Sequence, residues 1–190
     1  MKSIAAATLD PRARITGVVY LLYFLTAVLA QFFVGRKLVV YGEVVNGIGY
    51  GLYIVLTLLL YFMFKPVNRI VSLAAAICSL AGCALGVLDL FHLAPSRISP
   101  LLFFGPYCLL IGYLILRSTF LPRALGWLML FSGLGWMAFL SPAVAKHLSI
   151  YIEGLGVLAE ASLMLWLVVK GVNVQRWKQQ ASAARESLAT

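Results

Sequence analysis

Four carboxylates, Glu43, Asp89, Glu153 and Glu160, lie inside or at the rims of long apolar runs, in a chain that has only six acids. A charged acid at the centre of a membrane helix costs about 2.5–3.5 kcal/mol on insertion scales, so it is paired, hydrated in a cavity, or protonated. Glu160 is the deepest of the four, near the midpoint of its run. Kept protonated, it would serve as a general acid, a proton carrier or a hydrogen-bond donor to a ligand. Glu153 and Glu160 are seven apart, roughly 20° from full alignment on a helix, and share a face. Asp89 and His92, three apart, share another. Glu43, Asn46, Tyr50 and Thr57 form a further polar stripe at helical spacing. Stripes that converge would enclose an outward-facing polar cavity, open to the outer leaflet, with acids at its rim and Glu160 at its floor. The candidate ligand-binding residues are therefore Glu43, Asn46, Tyr50, Glu153 and Glu160. In an enzyme, Glu160 would donate a proton and Asp89 or His92 would accept one. The competing account of Glu43, Asp89, His92 and His147 is solvation by water or headgroups near the ends of the runs.

Other chemistries find little support. The chain has two histidines and no His-Glu-x-x-His, so a mixed shell from Glu43, Asp89, His92 and Glu153 is a thin basis for a metal, and no metal or cofactor is assigned. No Gly-x-Ser-x-Gly occurs, and Ser79 and Ser132 read as hydroxyls bonded to their own helix backbone. The glycine-rich phosphate cradles of soluble ATPases are absent. Cys78, Cys83 and Cys108 all fall within apolar runs and read as small packing residues, with Cys78 and Cys83 facing different directions on one helix.

The elements that must position these groups are membrane helices. Apolar residues make up 63% of the 190 and charged residues 11%, with a mean hydropathy of +0.98, against about 45–50% and about 25% in soluble domains. The expected spans are Ile15 to Val34, Val44 to Phe64, Ile70 to Phe91, Leu101 to Leu116, Ala124 to Leu140 and Leu148 to Val169, the fourth and fifth at the short end of what a bilayer needs. The breaks combine proline or small polar residues with positive charge: Lys65 to Arg69, Ala94 to Arg97, Arg117 to Arg123 and Ser141 to Lys146. Six crossings use up the length, which predicts an all-α bundle over residues 1–174 and a basic tail, amphipathic or disordered, over 175–190.

Lys2, Arg12, Arg14, Lys65, Arg69, Arg117, Arg123, Lys170, Arg176, Lys178 and Arg185 collect on one side, and only Arg36, Lys37, Arg97 and Lys146 on the other. By the positive-inside rule both termini are cytoplasmic. Topology and attraction to anionic headgroups thus account for the net charge of +9, and no nucleic acid is called for. Lys65, Arg69, Arg117 and Arg123 are candidates for lipid-phosphate contact, although Pro66 and Pro122 explain the turns without a ligand. Gly47-Ile48-Gly49-Tyr50-Gly51 and Gly82-Cys83-Ala84-Leu85-Gly86 carry small-xxx-small spacing, so the second and third helices are the expected tight pair. Gly133, Gly135, Gly154 and Gly156 offer a similar contact for the fifth and sixth. The tryptophans, and the tyrosines near span ends, read as belt and packing residues.

Three blocks carry a resemblance as a set: Ala13 to Leu21, Leu60 to Arg69, and Gly112-Tyr113-Leu114 through Arg117-Ser118, Leu121-Pro122-Arg123 and Leu125-Gly126 to Gly133. Together they resemble the bacterial multipass family known as domain of unknown function 4386, with a shorter first connection here than the family implies. The resemblance implies an integral domain of the bacterial cytoplasmic membrane with two basic, proline-containing turns on its cytoplasmic face, and no activity. Three functions stay open. One is a bundle that binds or transports a small amphipathic or lipid ligand, similar in outline to the substrate-capture subunits of vitamin transporters. The second is a membrane-embedded acid–base enzyme acting on a lipid, an isomerase or cyclase. The third is a non-catalytic partner that assembles through its glycine faces, as a homo-oligomer or with another protein.

Overall fold

The computed structural model describes residues 11–93, 101–138 and 142–186. The described residues form seven helices: α1 (Pro11–Gly35), α2 (Val39–Phe64), α3 (Arg69–Leu90), α4 (Leu101–Arg117), α5 (Arg123–Met137), α6 (Pro142–Val169) and α7 (Val174–Glu186). Lys2, the turn at Ala94 to Arg97, Ser141 and the side chain of Lys146 lie outside the described residues.

Local chemistry sets the boundaries. Asn68 caps α3 by accepting from Val71 N at 3.0 Å, satisfying one of the amides that a helix start leaves open. Pro122, extended at φ −71° and ψ 135°, precedes α5. Lys37 closes α1 in the left-handed region at φ 60°, with Leu38 N donating to Phe33 O at 2.9 Å, the six-to-one bond of a helix-ending turn. That turn is short enough for α2 to start at Val39, five residues before the expected Val44. Glu43 therefore lies inside α2 rather than opening it. The same device ends α3: His92 sits at φ 55° and Leu93 N donates to Leu88 O at 2.9 Å. The expected helical face shared by Asp89 and His92 does not form, because the helix stops between them. α6 starts at Pro142 rather than Leu148, which puts His147 within a helix, exposed.

Helices α1 to α6 close a ring, each packed on its sequence neighbours and α6 returning to α1. Inside the ring lie Tyr20, Tyr53, Leu56, Tyr107, Ile111, Met129, Glu160 and Leu163, all buried. Outside it, Val40, Ile70 and Ile150 are each at least 69% exposed, an apolar outer surface suited to lipid rather than water. Four helical segments, residues 12–35, 39–64, 69–90 and 147–169, are long and apolar enough to cross a membrane. At 17 and 15 residues, α4 and α5 fall short of the ~20 residues of a full crossing.

The closest backbone-to-backbone approaches at glycine lie outside the expected pair. α2 and α3 do adjoin, but Gly86 receives the Tyr50 ring and Gly49 faces Thr26 of α1. The backbones meet instead between α4 and α5. A Cβ at Gly112 would stand 2.9 Å from Gly126 O and Leu130 N, and one at Gly133 would stand 2.8 Å from Leu109 N. α1 and α6 approach similarly, with Gly17 against the backbone of Leu167 and Val168. In the α5–α6 contact, Gly156 accommodates the Trp136 indole and Gly135 faces Ile152, while Gly154 faces open space. Between α2 and α3 the link is polar: Thr57 Oγ1 donates to Tyr53 O at 2.8 Å and lies 2.5 Å from Ser79 Oγ. With the Thr57 proton used, Ser79 is the donor in that pair.

The tail is helical over α7 and straps one end of the ring. Trp177 Nε1 donates to Met63 O at 2.9 Å, Arg176 Nη1 to Thr119 O at 3.3 Å, and Thr119 N to Gln180 Oε1 at 3.1 Å. The two proline turns, the start of α1 and α7 therefore share one end of the bundle.

Candidate functional site

All six helices of the ring contribute to one cavity of about 720 Å³. Its lining comes from the C-terminal halves of α1 and α5, the N-terminal half of α4 and the middles of α2, α3 and α6, so it runs from mid-bundle toward the end opposite α7. Glu160 forms the floor. It is 5% exposed and its Oε1 has no hydrogen-bond partner. Tyr20 Oη lies beside the carboxyl without making a full hydrogen bond and is itself buried without a partner. Leaving such groups unsatisfied is costly, which is why they are rare and need a reason.

Aromatic rings from several helices build the wall. Tyr23 of α1 meets Tyr53 of α2 at 4.6 Å between centroids. Tyr53 meets Tyr107 at 6.1 Å and Phe104 at 6.5 Å, and Phe104 stands edge-on to Trp136 at 5.1 Å. Cys78, Ser79, Gly82 and Cys83 supply the α3 side. Cys78 and Cys83 both border the cavity, so their angular separation on α3 does not keep one of them away from it. Glu153, two turns before Glu160 on the same face of α6, and Gln31 of α1 stand at the mouth, both exposed. Among the described residues no lysine, arginine or histidine lines the space, and no three His, Cys, Asp or Glu side chains gather to hold a metal ion.

Of the residues singled out from sequence, the cavity brings together Tyr50, Glu153 and Glu160. Glu43 and Asn46 are half-buried and outside its lining, about two turns and one turn before Tyr50 on α2. Asp89 and His92 are exposed and also outside it. Tyr20, Tyr23, Tyr53 and Tyr107 were not expected at the site. Tyrosine in an apolar run reads equally as belt or as core, and the i, i+3 pairs Tyr20/Tyr23 and Tyr50/Tyr53 were the available signal.

A second recess, about 700 Å³, lies at the α7 end between the α4–α5 turn and α7. Arg123 and Arg176 line it with Ser118, Thr119, Gln179 and Gln180. Lys65, Arg69 and Arg117 are exposed at the same end but do not line it.

No curated protein and no solved structure matches the chain. Residues 97–171, which supply Phe103, Phe104, Tyr107, Trp136, Glu153 and Glu160 to the cavity, match the family model described as Domain of unknown function (DUF4386), the family that the sequence blocks resemble.

Proposed function

We propose that this chain is a six-crossing bundle of a bacterial cytoplasmic membrane, termini cytoplasmic, that binds or transports a small amphipathic or lipid ligand in the six-helix cavity. The single observation that carries the reading is a buried carboxyl with an unpartnered oxygen at the floor of a space walled by aromatic rings. A ligand's polar group would satisfy Glu160 and its apolar body would pack on the rings, which is how small-molecule sites are generally built. The closed ring supports counting α4 and α5 as crossings: the pair sits between the longer α3 and α6, and a locally thinned bilayer accommodates a short helix at modest cost. The excess of Lys and Arg at the α7 end supports the orientation. On that orientation Lys65, Arg69, Arg117 and Arg123 face anionic headgroups. The acid–base reading is less well served, since neither Asp89 nor His92 lines the cavity beside Glu160.

The test is mass spectrometry of lipids and small molecules that co-purify with the wild type and with Glu160→Gln. An unmodified species retained by the wild type and lost from the variant is the expected result. A chemically altered product lost from the variant would instead indicate catalysis, and identical extracts would remove both readings.

A further inference from the structure

We infer that the ligand is an organic monocation, an amine or quaternary ammonium on an apolar body, with its charge beside Glu160. The inference rests on the proposal that the cavity holds a ligand at all. Three independent features point to positive charge. The floor is a carboxyl nine-tenths buried whose Oε1 makes no hydrogen bond, with Tyr20 Oη, itself unpartnered, beside it. The mouth carries a second acid, Glu153, and among the described residues no basic side chain lines the space to neutralise either. Between them the wall presents the rings of Tyr23, Tyr50, Tyr53, Phe104 and Tyr107, whose negative faces attract cations, most strongly where water is excluded.

An anionic headgroup would meet two acids and, among the described lining residues, no counter-charge. A neutral lipid would pack on the rings but leave the second acid without a role. A metal ion would need several ligands converging on one point, and the described lining places its two acids two helical turns apart, about 10 Å along α6. A cation on an apolar body uses the floor, the wall and the mouth together, with Glu153 and Gln31 as the first groups it would meet.

The experiment uses three probes of similar size: tetraphenylphosphonium, the isosteric anion tetraphenylborate, and neutral triphenylphosphine oxide. Binding to the purified full chain in detergent is measured by equilibrium dialysis against micelles alone, for the wild type, Glu160→Gln and Glu153→Gln, each checked for a monodisperse, helical state. Saturable binding of the cation at least tenfold tighter than either other probe is expected. Glu160→Gln should weaken the cation at least tenfold and leave the phosphine oxide within about twofold, and Glu153→Gln should weaken the cation less. Equal affinity for the cation and the neutral probe, unchanged in Glu160→Gln, would overturn the inference while leaving cavity binding intact, as would preference for the anion. Binding of none of the three, with co-purifying species still lost from Glu160→Gln, would also overturn the cation alone. Binding of none, with identical extracts, would overturn the cavity reading as well.

Discussion

Glu160→Leu is expected to make the ligand-free protein more stable and to abolish ligand retention. The carboxyl is buried and Oε1 has no partner, so the native fold carries the desolvation penalty of an unsatisfied polar group, about 1–3 kcal/mol. Leucine is close in volume and needs no partner. If Glu160 exists to meet a ligand, removing it relieves that penalty, raises the thermal midpoint in detergent and eliminates the co-purifying species. If it were a structural group whose partner is part of the fold, the same substitution would lower the midpoint. Opposite movement of stability and binding is thus the signature of a site maintained against the interest of the fold, a trade familiar at functional positions. A fall in midpoint together with unchanged retention would contradict the proposal.

The second large effect concerns the α4–α5 crossing, where alanine for glycine should destabilise the bundle, while the same substitution at Gly51 of α2 should not. Gly112→Ala places a methyl 2.9 Å from Gly126 O and Leu130 N. These are backbone atoms of a packed helix and cannot turn aside as a side chain can, so the two helices must separate. Overpacking in ordinary cores costs about 1–3 kcal/mol, and Gly112→Leu should exceed that and lose the monodisperse bundle. Gly51→Ala meets nothing within 4 Å. It gains only the helix preference of alanine over glycine, up to about 1 kcal/mol, and should be neutral or stabilising. Thermal unfolding of the three variants with the wild type checks the prediction, and equal behaviour of Gly112→Ala and Gly51→Ala would show that the close crossing is absent.

Much of the architecture was legible in the chain because the signals were strong. Long apolar runs separated by Lys65-Pro66 and Pro122-Arg123 specify helices and turns by composition alone, and each expected run has a helix in the structure. Boundaries were harder to read where a helix ends on an unusual residue. Lys37 and His92 occupy left-handed positions that normally signal themselves by glycine, so the turn after α1 read as longer than it is, and α3 read as continuing past Leu90. The second misplacement took His92 off the face of Asp89, whereas Glu43 lies on α2 seven residues before Tyr50 and misses the site by depth, about two turns farther toward the helix start. Glu153 and Glu160 stayed in it because seven residues along one uninterrupted helix fix a shared face whatever the ends do. The helix pairing could not be read from glycine spacing, since Gly47, Gly49 and Gly86 satisfy the same pattern as Gly105, Gly112, Gly126 and Gly133. Which glycines meet a backbone depends on the tilt of neighbours, a long-range property. The tyrosine wall was hidden for the same reason: Tyr23, Tyr53 and Tyr107 come from three helices and meet only when the ring closes.

The most direct check on the proposed site is the side from which its mouth is reached. With Cys78, Cys83 and Cys108 replaced, Glu153→Cys and Lys178→Cys are each treated with a membrane-impermeant maleimide in sealed right-side-out vesicles. The expected result is labelling at position 153 from outside and at position 178 only after permeabilisation. Labelling of both from the same face, or no reaction at 153 even in detergent, would contradict a cavity that opens away from the chain's ends.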